Sequence, residues 1–299
     1  MKTDNTFKSG FISVVGRTNA GKSTLVNRLV GEKIAIVSDK PQTTRYRIMG
    51  VLNGEDYQIV FTDTPGLHAP KTRLGDFMIS QANEALIDTD AVVLVIEPVD
   101  NIGTSEEKIL KSLSKIKVPV ILAINKIDTV KNKEKLFEII TTYSNAYNFD
   151  AVVPLCAKNG NGVDILLSEI KKHLSEGPAY FPEDMKTDSP DKARIAEIVR
   201  EKMLWVLQQE VPHGIAVEIT SYKMPEGKTG RIDITIYCEK ESHKGIIIGK
   251  NGVQLRKIGS LARQDIEKLL GRKVYMELWV KVKEGWRDNN YLLRNFGFE

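Results

Sequence analysis

Unbroken apolar runs of strand length recur along the first half of the chain, separated by segments whose apolar residues fall at helical spacing. Phe11-Ile12-Ser13-Val14-Val15 is the first run, and the segment after it carries Leu25, Val26, Leu29 and Val30, a stripe that predicts an amphipathic helix. Two further runs join through Asn53-Gly54, a hairpin signal, and the second of them is Tyr57-Gln58-Ile59-Val60-Phe61. Strands are then predicted at 91–97, 119–125 and 152–155, alternating with helices, one of which opens on Thr104 and Glu107 as a capping box before Ile109, Leu110 and Leu113. Such alternation predicts an α/β fold, a mostly parallel sheet with helices on both faces and its ligand site at the carboxyl ends of the strands.

The pattern changes near residue 176. From there to Pro190 the chain holds Pro178, Pro182 and Pro190 with no sustained period, which reads as a linker, and Tyr180 and Phe181 predict that it packs on a domain surface. Beyond it we expect a helix at 193–207, strands at 216–222 and 232–238, a short helix at 244–247, a loop at 249–252, a long helix at 253–270 and a strand at 274–282. Ile232, Ile234, Ile236 and Cys238 alternate cleanly, as do Val274, Met276, Leu278, Val280 and Val282, so one sheet face should lie against the helices. The expected division is a nucleotide-binding domain at 1–176, a linker at 177–190, an α+β domain at 191–285 and a tail at 286–299.

Charge separates the two halves further. Residues 1–190 hold 23 Lys and Arg against 24 Asp and Glu, whereas 191–299 hold 20 against 15, and 240–283 alone hold 11 against 4. A polyanion partner for the C-terminal part is one reading of that surplus, and a solvated face is the other. The first residues lack an apolar stretch and the longest apolar runs are strand-length, so a protein without targeting or membrane-spanning segments is expected. Cys156 and Cys238 stand far apart with no ligand pattern around them, which argues against a disulfide framework and favours the cytoplasm.

Candidate chemistry begins at Gly16-Arg17-Thr18-Asn19-Ala20-Gly21-Lys22-Ser23, the P-loop pattern G-x-x-x-x-G-K-[ST], set between a strand and a helix as the pattern requires. Backbone N–H groups of this loop would converge on a polyphosphate at the positive end of the helix that continues through Thr24, Lys22 would add a cation, and Ser23 could ligate Mg2+. Asp63-Thr64-Pro65-Gly66-Leu67 follows a strand, with Asp63 suited to a Mg2+-bound water and Gly66 offering an unobstructed N–H to a terminal phosphate. Asn125-Lys126-Ile127-Asp128 and Cys156-Ala157-Lys158 also end strands. The acceptor-only carboxylate of Asp128 matches the ring N–H and exocyclic amine of guanine, a pair adenine lacks.

In this order the stretches resemble the translation-factor class of small GTPases. That resemblance implies binding and hydrolysis of GTP to GDP, Mg2+ as cofactor, and a first switch at Thr43-Thr44-Arg45 in which Thr44 or Thr43 closes on the metal and the terminal phosphate. It also implies that the backbone N–H of Ala157 meets the guanine carbonyl, so that Cys156 in place of the usual Ser is a mild change. Asn19, Lys22, Thr44 and Gly66 are the residues it assigns to catalysis. Leu67 stands where signalling GTPases carry a glutamine that orients water, so slow intrinsic turnover is expected. Asn19 is open between a turn residue and a ligand that helps hold K+ against the phosphates.

The C-terminal order resembles a type-two KH domain, whose GXXG loop clamps the backbone of single-stranded RNA. Gly249-Lys250-Asn251-Gly252 joins two helices and fits that role, whereas Gly227-Lys228-Thr229-Gly230 joins two strands and reads as a hairpin turn. Ile246 and Ile248 as a wall for bases, Lys250 and Asn251 at the loop and Arg256 on the next helix complete the expected groove, with at least one residue of Ile246-Ile247-Ile248 in the core. GTPase domain, Tyr-Phe-Pro-Glu-Asp linker, KH domain and basic aromatic tail together resemble the Era family of bacterial GTPases. That likeness implies a monomer that binds the 3' end of 16S rRNA, works in assembly of the 30S ribosomal subunit, and makes at most peripheral contact with the inner face of the cell membrane. The alternative is an RNA-binding protein that senses nucleotide with little turnover.

Overall fold

The computed structural model describes residues 6–66, 70, 72–99, 101–207 and 211–298, so Leu67 lies outside the described residues. The chain divides into two compact units, one formed by Met1–Val37, Thr44–Ala69 and Met78–Asp188, the other by Ser38–Thr43, Pro70–Phe77 and Ser189–Glu299.

In the first unit the elements run β1 (Lys8–Val15), α1 (Lys22–Val30), β2 (Ile48–Asn53), β3 (Tyr57–Asp63), α2 (Arg73–Glu84, shared with the second unit), β4 (Ala91–Ile96), α3 (Thr104–Leu113), β5 (Val120–Ile124), α4 (Lys133–Ala146), β6 (Ala151–Pro154), α5 (Val163–Lys171) and β7 (Ser175–Glu176). The sheet order is β2-β3-β1-β4-β5-β6, with β7 paired to β1. All neighbours are parallel except β2 on β3 and β7 on β1. Two cores explain the continuous apolar runs: Val93 and Val95 of β4 face one, with Leu25 of α1 and Leu166 of α5, while Val92, Leu94 and Ile96 face the other, with Ile109 of α3 and Tyr143 of α4. The expected capping box does not form. Gly103 is the extended residue ahead of α3, its carbonyl accepts from Glu107 N at 2.9 Å, and Thr104 is already helical. Two adjacent residues could each have started this helix, and the pattern alone does not choose between them.

The Pro-rich segment is tied to this unit, as its two aromatic residues suggested. Tyr180 packs on Phe11 at 4.6 Å between ring centroids, and Gln58, fully buried, accepts from the N–H groups of Tyr180 and Phe181 and donates to the Phe181 carbonyl. Val51 N then donates to Lys186 O at 2.8 Å, and Gly50 bridges Thr187.

The second unit contains α6 (Asp191–Val206), β8 (Ala216–Lys223), β9 (Gly230–Cys238), α7 (Glu241–Ile248), α8 (Val253–Leu270), β10 (Val274–Val282) and α9 (Asn290–Asn295). Its sheet has the order β10-β9-β8, with β9 and β10 parallel and β8 antiparallel to β9. The alternating residues of β9 pack with Ile195 and Val199 of α6, Ile247 of α7 and Ile258, Ala262 and Ile266 of α8, and the alternating set of β10 joins them. Beyond β10, Trp286 is fully buried, donates to Gly214 O at 3.1 Å and meets the rings of Phe296 and Phe298.

Candidate nucleotide and RNA sites

Each polar motif of the first unit leaves the carboxyl end of a strand: Gly16 after β1, Asp63 closing β3, Glu97 after β4, Asn125 after β5 and Cys156 after β6. The loop from Gly16 to Gly21 turns by left-handed backbone at Asn19 (φ 65°) and Gly21 (φ 96°), and a Cβ on Gly21 would lie 2.2 Å from Asn125 Nδ2. Lys22 reaches back over the loop, donating to Gly16 O at 3.1 Å and Arg17 O at 2.7 Å. The Arg17 guanidinium pairs with buried Glu106 of α3 at 2.9 Å.

Ser23, Thr44 and Asp63 come together. Ser23 Oγ donates to Asp63 Oδ2 at 2.6 Å and lies 2.9 Å from Thr44 Oγ1, which is 3.5 Å from the same carboxylate oxygen. Thr43 Oγ1 instead donates to Lys40 O at 2.6 Å, which separates the two threonines left open by the sequence. Asp63 Oδ1 is buried with no hydrogen-bond partner among the described residues. A free hard oxygen beside two hydroxyls is a donor set that fits Mg2+. Burial is the largest influence on both charged groups: it lifts Asp63 to about 6 against the pull of Lys22, and lowers Lys22 to about 8 against the pull of Asp63. Thr64 Oγ1 donates to Val14 O, fixing the turn that carries Pro65 and Gly66. A Cβ on Gly66 would lie 2.6 Å from Thr18 N and Cα, so no side chain fits between this segment and the P-loop.

Asn125 clamps two loops together, donating to Ala20 O at 2.8 Å and accepting from Ala157 N at 2.9 Å. The Ala157 N–H, which the resemblance aims at a guanine carbonyl, is thus held by Asn125 in this structure. Lys126 donates to Asn19 O at 2.7 Å and to Glu97, and the Cys156 thiol donates to Asp128 Oδ1 at 3.1 Å. Thr24, Arg28, Lys33, Ala157 and Lys158 line an adjoining cavity of about 340 Å³. Glu97, Glu106 and Arg28 were not singled out by the sequence, because nothing in their local pattern distinguishes them from surface charges.

In the second unit Gly249 (φ 71°), Asn251 (φ 53°) and Gly252 (φ 75°) shape the turn between α7 and α8. A Cβ at Gly249 would lie 2.6 Å from Gln254 Cγ, whereas at Gly252 the nearest atom is 3.9 Å away. Ile247 is the core member of its triplet, Ile246 is 49 % exposed and Ile248 half-buried. Lys250 is exposed, and Arg256 donates to the carbonyls of Asn251 and Gly252. Beside the loop runs a groove of about 470 Å³ between α8 and β10, lined by Leu255, Arg256, Gly259, Arg263, Met276 and Leu278, among others. Of its lining, sequence reasoning named Asn251, Gly252 and Arg256, although Leu255, Gly259 and Arg263 follow Gly252 at helical spacing and could have been found. Gly227 lies in the β8–β9 turn, as expected of a hairpin, and Gly230 opens β9, paired with Val274.

A P-loop, a Ser–Thr–Asp cluster beside its lysine and an asparagine clamp between loops on a mostly parallel sheet, followed by a GXXG junction on a second α+β unit, define a P-loop GTPase that carries a KH domain. The family described as "50S ribosome-binding GTPase" matches residues 11–126, and the KH domain family matches 210–287. GTPase Era of Caldanaerobacter subterraneus is 51 % identical over 293 residues, covering 98 % of each chain, and GTPase Era of Clostridioides difficile is 51 % identical over 294 residues, covering 98 % of this chain and 99 % of its own. The chain belongs to the GTPase Era family. Two solved Era structures superpose with a TM-score of 0.94 at 39 % identity, covering 98 % of this chain and 99 % of theirs: an Aquifex aeolicus Era variant bound to GDP·AlF4−, and Era in complex with MgGDPNP and nucleotides 1506–1542 of 16S rRNA. No helix among the described residues is long and apolar enough to cross a membrane.

Proposed function

We propose that this GTPase binds Mg2+·GTP at the carboxyl ends of β1, β3, β5 and β6, binds the 3' region of 16S rRNA along the α8–β10 groove, and acts in assembly of the 30S subunit. The observation that carries the reading is the joint presence of the Ser23–Thr44–Asp63 cluster beside Lys22 and the GXXG turn beside a basic groove. Ser23 and Thr44 would ligate Mg2+, and Asp63 would hold one of its waters; the metal supplies charge neutralisation for the transferring phosphoryl group. Lys22 and the loop N–H groups orient the phosphates, Gly66 leaves the terminal phosphate unobstructed, and Asp128 with its Cys156 partner selects guanine. Asn19, with left-handed backbone, is a turn residue first; a K+ held by its side chain is the added role we assign it. Lys250 and Arg256 attract the RNA backbone, and Ile246 and Ile248 flank its bases.

The test is single-turnover GTP hydrolysis with and without a 3'-terminal 16S rRNA fragment, together with crosslinking of the GTP-bound protein to total RNA. Hydrolysis together with crosslinks concentrated at that 3' end is the expected result. RNA crosslinking with no measurable turnover in either condition would favour the nucleotide-sensing alternative, for which Leu67 is the motivating residue.

A further inference from the structure

The side of the KH sheet turned away from its helices carries an exposed row along β10. Tyr275 is 53 % and Trp279 60 % exposed, although their neighbours Val274, Met276, Leu278 and Val280 all pack toward the helices. Lys281 and Lys283 continue the row outward. Its acidic members are partly offset within the sheet: Arg231 pairs with Asp233 and with Glu277, each at 3.1 Å, so that with Lys281 and Lys283 the row keeps a net charge of one positive unit. The next stretch of the same face is already covered, since Tyr237, the register partner of Lys281, lies under the Phe296 ring at 4.7 Å. Tyr275 belongs to both surfaces, because it also lines the α8–β10 groove.

We propose that Tyr275, Trp279, Lys281 and Lys283 form a second RNA-contacting surface, on which single-stranded RNA leaving the groove crosses the edge strand β10 and stacks bases on the two rings. The inference rests on the RNA reading of the groove given above. A four-residue step along a strand separates the two rings by roughly 13 Å, so each can take its own base while the lysines meet the intervening phosphates. Aromatic faces flanked by cations accept any base, which suits a surface that extends binding beyond the four nucleotides a GXXG loop clamps. Continuity with the groove and net positive charge favour RNA over a protein partner.

The experiment uses the full chain and two labelled single strands from the 3' end of 16S rRNA, one of about four nucleotides and one of about twelve. Trp279→Ala is expected to weaken the long strand roughly five- to 150-fold and leave the short one unchanged, with Trp279→Phe restoring most of the loss. Lys281→Ala should lower the salt slope of the long strand by roughly 0.7, the value of one single-strand phosphate contact. Equal losses for both strands, or no loss for either, would overturn the proposal, as would a Trp279→Ala variant that keeps RNA affinity yet fails to join 30S particles. Gly249→Asp serves as the separate control: if it spares the short strand, the groove reading fails, whatever Trp279 does.

Discussion

Asn125 offers the sharpest test of how the nucleotide site is held together. It is 2 % exposed, and its one amide satisfies both Ala20 O and Ala157 N, residues that are themselves 1 % exposed. Asn125→Ala would leave a buried acceptor and a buried donor without partners, in a place water cannot reach without opening the loops. Each such group costs about 1–3 kcal/mol, so the sum is about 2–6 kcal/mol, a large part of the ~5–15 kcal/mol that holds a typical domain folded. The P-loop would also lose its link to the base-side loop. We expect the urea midpoint of the nucleotide-free protein to fall by about 1 M or more and GDP to leave at least about tenfold faster. Equilibrium unfolding by fluorescence and release of a fluorescent GDP analogue measure the two effects. Asp128→Ala, at an exposed position, is the control and should alter base selectivity without that loss of stability. An Asn125→Ala protein with unchanged midpoint and unchanged release would refute the clamp.

Asp128→Asn should shift preference from GTP toward xanthosine triphosphate, because the donor and acceptor at the base edge are exchanged; competition binding reads this directly. Asp63 titrates near 6 in the fold and near 3.8 unfolded, so the folded state binds the extra proton and apo stability rises as pH falls between those values, while Mg2+ affinity falls because the metal competes with that proton. Asp63→Asn should therefore stabilise the nucleotide-free protein at pH 7 by up to about 3 kcal/mol and abolish Mg2+-dependent GTP binding, to be checked by apo melting and by nucleotide titration. Gly249→Asp should abolish binding of a 3' rRNA strand with GTP affinity retained, and Gly227→Asp should spare both; filter binding ranks the two. If Asn19 holds K+, hydrolysis should rise when K+ replaces Na+ at constant ionic strength, and Asn19→Ala should remove the difference.

Much of this was legible in the sequence, for identifiable reasons. Strands buried on both faces announce themselves as continuous runs, so β4 and β5 were located within a residue or so, and the alternation of β9 and β10 fixed which face meets the helices. The motif residues were legible because phosphate and base chemistry demand particular side chains at fixed spacing. What escaped was contact across the fold. Glu106 reads as a helix surface charge until α3 is seen to deliver it to Arg17, and Glu97 reads as the end of a strand until Lys126 is found above it. The expected capping box failed for a local reason, since Gly103 and not Thr104 is the extended residue ahead of α3, a one-residue choice that the pattern leaves open.

The energetics of the phosphate site follow from the same packing. Lys22 and Asp63 are both displaced toward their neutral forms by burial, even though each favours the charge of the other. Desolvation therefore outweighs their mutual attraction, and the ionised pair is held there at a cost the rest of the sheet must offset. On the proposed reading, a polyphosphate would supply negative charge to Lys22, and a divalent cation would supply positive charge beside the unsatisfied Asp63 Oδ1. Each ligand would then relieve a burial penalty already present in the fold, so binding energy would arise from removing an unfavourable state as well as from new contacts. Because Thr44 shares the Asp63 carboxylate with Ser23, that relief would reach the segment beginning at Thr44, and on the proposed reading its ordering would respond to a terminal phosphate and its metal.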